Sequence, residues 1–190
     1  DLTKYRNGAS LLRNFFIDYR GGATTRPGTR FLLPTYQATP VRLIPFQAST
    51  AISYILEFGE GYIRPFTPGA PVLESALAIT SATAASPGVF TRNAHGYSDD
   101  DWVYASGFTG TGWTTLNGNY YIITAAAANT FQLTALTGTA VSTAGFAAFA
   151  AGNTQRVFTL LTSPYGASEV GTLKFTQNIS TLIICHPNHV

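Results

Sequence analysis

The sequence predicts a mainly β protein with one short helix near its start. Apolar and polar residues alternate in short runs, turn residues separate these runs, and apolar residues recur at helical spacing only in residues 3–16. Of the 190 residues, 45% are hydrophobic and 11% are charged. The chain is therefore long enough to bury a core, and its surface must consist largely of uncharged polar residues.

The predicted helix covers residues 3–16. Its apolar residues recur at i, i+4, i+7 and i+11, namely Tyr5, Ala9, Leu12 and Phe16. Residues 20–28, in contrast, are dense in glycine, threonine and proline, which favour turns. We therefore expect a loop after the helix.

A β-hairpin is predicted in the next part of the chain. Residues 52–58 place apolar side chains at alternate positions, and Gly59-Glu60-Gly61 then turns the chain into a second strand at 62–64. Residues 41–44 predict a short strand before this hairpin. Pro45 either ends that strand or places it at the edge of a sheet.

The composition changes near Ala76, where the chain becomes rich in alanine, threonine, serine and glycine. Short strands are predicted near 89–92, 102–105, 119–124, 130–134 and 145–149, and again at 157–161 and 181–185. Short strands at this spacing are typical of a small β-barrel or sandwich. No helix is predicted in the alanine-rich residues, because they lack a helical pattern.

Positive charge is concentrated at the start of the chain. Residues 1–45 carry seven basic and two acidic residues, whereas residues 79–152 carry one basic and three acidic residues. The net charge of +2 is too small to indicate nucleic-acid binding on its own. Arg20, Arg26 and Arg30 lie close together around the predicted loop. They either contact phosphate groups or a neighbouring subunit's carboxylates, or they lie on the surface of an ordinary turn.

Neither a metal site nor a cofactor is predicted. Cys185, His186 and His189 carry donor atoms that zinc and copper prefer, but no fourth ligand is nearby in the sequence. The aspartates at 99–101 lack the spacing of a calcium-binding loop, and we expect a solvated turn there. The single cysteine excludes an internal disulfide.

No catalytic residue is predicted either. Glu57 and Glu60 flank one hairpin, whereas the two carboxylates of a glycosidase face each other across a cleft. His95 precedes a glycine and is expected in a turn. Four aromatic residues are expected in the core, with a sugar-binding platform as the alternative: Trp102, Trp113, Tyr120 and Tyr121.

The two ends of the chain resemble a tail protein family of phages and prophages. The resemblance covers residues 1–66 and 157–190 and rests on segments in the expected order: Asp1–Gly8, Arg20–Gly22, Arg26–Phe31, Val41–Phe46, Leu56–Tyr62, Leu173–Gln177 and His186–Pro187. More distantly, the family is similar to tail tubular protein B, the nozzle of short-tailed phages. The resemblance implies a ring-forming, non-enzymatic virion part through which DNA passes. Its implied partners are other copies of itself and neighbouring tail proteins.

A second resemblance covers residues 79–150. Four segments are similar to the first catalytic cysteine half-domain of ubiquitin-activating enzymes: His95–Tyr97, Asp101–Val103, Leu116–Gly118 and Asn129–Leu133. The similarity implies a small β-barrel. It does not imply the chemistry of those enzymes, because this segment contains no cysteine.

Together, the resemblances imply a tail-protein domain built from residues 1–78 and 153–190, interrupted by an inserted β-barrel domain at 79–152. The expected function is a non-enzymatic structural part of a phage or prophage tail, made in the bacterial host cytoplasm and located in the virion. Arg20, Arg26 and Arg30 are the candidate subunit- or DNA-contacting residues.

The alternative is a carbohydrate- or receptor-binding β module of a tail fibre or adhesin, with a host surface glycan as the partner. No apolar run reaches the length of a membrane span. Because the chain starts at Asp1 and contains no methionine, we expect it to be a fragment of a longer protein.

Overall fold

The computed structural model describes residue 11, residues 13–18 and residues 22–189. The chain divides into two compact units, residues 1–33 and residues 34–190. The prediction of a mainly β protein is confirmed, since the described residues contain fifteen strands and no helix of seven or more residues.

The first unit contains a small antiparallel hairpin. Strand β1 (Phe15–Ile17) pairs with β2 (Ala23–Thr25). The predicted helix at 3–16 lies mostly outside the described residues, but its end is wrong, because Phe15 and Phe16 belong to β1. The loop predicted at 20–28 is also wrong in part, because Ala23–Thr25 form strand β2. Asn14 has a φ of 62°, which no right-handed helix accommodates, and the cross-strand hydrogen bonds replace helical ones.

The second unit begins with a four-stranded antiparallel sheet. Its strands follow chain order: β3 (Arg42–Gln47), β4 (Ser53–Gly59), β5 (Tyr62–Thr67) and β6 (Ala70–Pro71). The hairpin predicted around Glu60 is confirmed, with Gly59 opposite Tyr62 and Gly61 at a φ of 74°. Strand β3 continues through Pro45 and forms the sheet edge, as the second reading of that proline requires.

One face of this sheet packs against residues from the end of the chain. Ile44 and Phe58 form a buried core with Val170 and Leu173. A second hairpin covers this core, with strands β14 (Lys174–Asn178) and β15 (Thr181–Cys185). Strand β15 confirms the prediction at 181–185. The strand predicted at 157–161 is wrong. Only two isolated bridges form in this segment, one between Val157 and Leu73 and one between Leu160 and Ile63.

Seven strands of the intervening chain form one antiparallel sheet. They are β7 (Leu77–Ala78), β8 (Ser81–Ala82), β9 (Val89–Thr91), β10 (Trp102–Thr109), β11 (Tyr120–Thr124), β12 (Thr130–Ala135) and β13 (Ala151–Arg156). Four predicted strands are confirmed as β9 to β12. The strand predicted at 145–149 is wrong, because this part of the chain begins to pair with β10 only at Ala151, the first residue of β13.

The predicted β-barrel is also wrong, because this sheet is not closed. Its order is β7-β13-β10-β11-β12-β9-β8, so β7 and β8 lie at opposite edges. Closure needs hydrogen bonds between the two edge strands. Here each edge strand is only two residues long.

The seven-stranded sheet carries an aromatic core. Phe90, Phe108, Trp113 and Phe131 are each at most 1% exposed and pack on one another. A 3-10 turn at Trp113–Leu116 brings the tryptophan under the sheet. Residues 77–78 of this sheet pair with β13, and the predicted domain boundaries at 79 and 152 stay predictions.

Candidate functional site

The arginines singled out in the sequence, Arg20, Arg26 and Arg30, belong to the first unit. Arg26 and Arg30 are exposed. Arg20 lies outside the described residues. The structure therefore presents two of the three predicted arginines to solvent, and the role of all three stays a prediction.

The hairpin next to these arginines exposes apolar side chains on both of its faces. Phe15 is 43% exposed, Phe16 is 58% exposed and Ile17 is 70% exposed. Successive strand residues point to opposite sides, so both faces of the hairpin present exposed apolar side chains. A two-stranded hairpin on its own is at best marginally stable in water. The first unit therefore has the properties of a contact segment.

A buried ion pair lies on the face of the four-stranded sheet opposite its Ile44 core. Glu57 and Arg64 are cross-strand neighbours in β4 and β5, and Arg64 Nη2 donates to Glu57 Oε2 at 2.9 Å. The Tyr62 hydroxyl donates to Glu57 Oε1 at 2.5 Å, and the Tyr36 backbone N–H donates to the same oxygen at 3.2 Å. Both carboxylate oxygens are thus occupied.

Aromatic rings enclose the rest of the Arg64 guanidinium. Its central carbon lies 5.0 Å from the Trp102 ring centre and 5.1 Å from that of Phe66. Among the described residues, its Nε and Nη1 atoms are buried without a hydrogen-bond partner, and the ring faces are their electrostatic partners. Burial and the hydrogen bond to Glu57 raise the pKa of the Tyr62 phenol far above its ordinary value. This arrangement links the two sheets.

Gly59 is required beside this ion pair. A β-carbon at Gly59 would collide with the Tyr62 ring, which lies directly opposite in the hairpin. The absence of a side chain therefore lets the Tyr62 hydroxyl reach Glu57.

The aspartates at 99–101 hold a turn. Asp99 Oδ1 accepts the Ala126 backbone N–H at 2.8 Å, and Asp101 Oδ2 accepts the Ser98 N–H at 2.8 Å. Asp101 also pairs with Arg156 at 3.2 Å, while Arg156 reaches Glu74 at 3.0 Å. The predicted turn is confirmed, although two of its carboxylates bind protein groups instead of facing solvent alone.

The residues that suggested a sugar platform are mostly internal. Trp102, Trp113 and Tyr121 are at most 7% exposed, as the core interpretation predicts. Tyr120 is half-buried and contacts the Tyr104 ring. His95 is buried in a turn, where its Nδ1 accepts the Tyr97 N–H at 3.0 Å.

A cluster of two histidines and a glutamate lies at the end of the last hairpin. Glu169 Oε2 lies 2.9 Å from His189 Nε2, and Glu169 Oε1 lies 3.8 Å from His186 Nδ1. The Gly166 backbone N–H and the Asn188 amide also donate to this carboxylate, each at 2.9 Å. These donors, with the Gly166 N–H foremost, lower the pKa of Glu169 to about 2.

Sequence reasoning considered the two histidines and missed Glu169. Glu169 lies more than a dozen positions before His186, and no spacing pattern connects it to the two histidines. The signal available was the short segment His186-Pro187-Asn188-His189, because proline in the second position of a tight turn brings the first and fourth residues together.

The fold defines this chain as a mainly β protein, and comparison with known proteins adds no family to that description. No protein-family model matches the chain. No curated protein matches it either. Within the described residues, no helix has the length and apolar character needed to cross a membrane.

Proposed function

We propose that this chain is a non-enzymatic structural part of a phage or prophage tail, similar in role to a nozzle or hub. The observation that carries the proposal is the first unit, where an exposed apolar hairpin adjoins exposed Arg26 and Arg30. Apolar side chains on both faces of so small a hairpin favour burial against another subunit. The arginines supply contacts to a neighbour's carboxylates or to passing DNA.

The chemistry of the second unit supports a structural role. Arg64 and Tyr62 occupy both oxygens of Glu57 in a buried network. A general acid or base needs a proton-exchanging atom within reach of substrate. Glu57 instead stabilises the packing of the four-stranded sheet against Trp102.

Immunogold electron microscopy of induced phage particles tests the proposal directly. With an antibody raised against this chain, we expect gold at the tail. Its position distinguishes a nozzle from a peripheral fibre. Intact particles without label, beside free protein in the lysate, would refute the tail assignment. Glycan affinity of that free protein would then support a carbohydrate-binding module.

Reversal of the charge at Arg20, Arg26 and Arg30 is the second test. We expect Arg20→Glu, Arg26→Glu and Arg30→Glu together to reduce assembled, infectious particles, because three lost ion pairs of about 0.5–1 kcal/mol each weaken association roughly ten- to a hundredfold. Particle yield and plaque titre are the measurements.

The matched control places new carboxylates elsewhere. Thr114, Thr137 and Thr139 are exposed in the second unit, and glutamate at these three positions is expected to leave assembly intact. Unchanged assembly in the arginine variant would contradict the proposed contact.

A further inference from the structure

We propose that Glu169, His186 and His189 form a binding site for a divalent transition-metal ion of the Zn²⁺ class. One donor atom from each residue lies within 4.8 Å of the other two. Two ligands of a tetrahedral zinc ion, each about 2.0–2.1 Å from the metal, lie about 3.3 Å apart. Glu169 Oε2 lies 2.9 Å from His189 Nε2, and Glu169 Oε1 lies 3.8 Å from His186 Nδ1. Rotations of these side chains that place one carboxylate oxygen between the two nitrogens bring three ligand atoms to bonding distance.

A tight turn of the backbone brings His186 and His189 close together. The His189 N–H donates to the His186 carbonyl at 3.1 Å, which closes a tight turn through Pro187. The two imidazole centres consequently lie 5.6 Å apart. The Tyr165 ring packs edge-on against His189 at 5.1 Å and limits its movement.

The hydrogen bonds of His186 favour the tautomer that carries its hydrogen on Nε2 and offers Nδ1 as an acceptor. The Thr172 hydroxyl donates its hydrogen to the Glu169 carbonyl at 2.9 Å, so its oxygen accepts the Nε2–H of His186 at 3.0 Å. His186 Nδ1 therefore acts as an acceptor. It accepts the Asn188 backbone N–H at 3.3 Å and lies 3.8 Å from Glu169 Oε1. Two acceptors that face each other are brought together favourably by a cation, and a hydrogen bond on the other imidazole nitrogen is typical of metal-bound histidine.

Cys185 is not a ligand of this site. Leu182 and Ile184 of β15 pack against the Ile44 core, so alternation places His186 on their side and Cys185 on the opposite side. Cys185 is exposed accordingly. Three protein ligands leave the fourth zinc position to water, since the His189 and Glu169 side chains are partly exposed.

The ion would connect two segments that are distant in the sequence. Glu169 precedes the 3-10 turn at Val170–Thr172, which anchors to the core through Val170, whereas His186 follows β15. An ion that binds only the folded arrangement stabilises it. The inference depends on residues 165–189 alone and not on the proposed tail function.

Zinc titration of untagged, metal-free protein tests the site. By isothermal titration calorimetry we expect one Zn²⁺ per chain, with a higher thermal unfolding midpoint on addition of Zn²⁺. Co²⁺ is expected to give the visible absorption of a tetrahedral site. His189→Ala and Glu169→Gln should each weaken Zn²⁺ affinity by at least about tenfold, and Thr172→Val by about ten- to a hundredfold, because it frees the His186 ring.

Cys185→Ser is the matched control and should leave Zn²⁺ affinity unchanged. The partly exposed His189 keeps the test decisive if Glu169→Gln fails to fold. Absence of Zn²⁺ binding by the wild-type chain overturns the proposal. Equal affinity in His189→Ala, or loss of binding in Cys185→Ser, overturns it as well.

Discussion

Replacing Arg64 with methionine is expected to lower the free energy of unfolding by about 3–5 kcal/mol, the usual cost of removing one partner of a buried ion pair. Arg64 has no exposed surface, and Glu57 is only 4% exposed. The variant leaves the buried Glu57 carboxyl group with only the Tyr62 hydroxyl and the Tyr36 N–H as donors. Urea unfolding followed by circular dichroism measures the loss.

Two further variants separate the charge from the packing. Glu57→Leu combined with Arg64→Met removes both charges, so it is expected to be less destabilised than Arg64→Met alone. Arg156→Met makes the same substitution at an arginine that is 32% exposed and pairs with both Glu74 and Asp101, and it should cost about 1 kcal/mol or less for each pair. Equal losses in Arg64→Met and Arg156→Met would contradict the importance assigned to the buried pair.

Replacing Trp113 with alanine is expected to cost about 3–5 kcal/mol, the range for removing a fully buried large aromatic residue. Its ring contacts those of Phe90, Phe108, Phe146 and Phe149 at centroid distances of 5.1–6.4 Å. Its indole N–H also donates to the Ala147 carbonyl at 2.8 Å. The variant therefore leaves a cavity in the core of the seven-stranded sheet and an unpaired carbonyl.

Urea unfolding is again the measurement, and Trp102 remains as a fluorescence probe. Leu161→Ala is the control, because Leu161 is 58% exposed and its truncation should change stability by no more than about 0.5 kcal/mol. A loss below about 1 kcal/mol in Trp113→Ala would show that the core tolerates the cavity by collapse.

The candidate sites differ in how far the sequence predicted them. The hairpin that carries the Glu57–Arg64 pair was predicted, but its register was not. The two-residue turn at Glu60 and Gly61 places these two residues opposite each other. The burial of this pair does not follow from the hairpin, since Trp102 covers Arg64 from another sheet. The metal-binding cluster was missed, because Glu169 reaches the histidines only through the packing of the last hairpin.

The sequence by itself determined the β class, the hairpin around Glu60 and the four strands β9 to β12. These features depend on alternation and turn residues within a few positions, which are local properties of the chain. Only the tertiary structure decided that Phe15 and Phe16 pair as a strand, that the seven-stranded sheet stays open, and that Glu169 meets His186. Each of these outcomes depends on pairing or packing between residues separated along the chain, and local periodicity does not encode which distant partner is present.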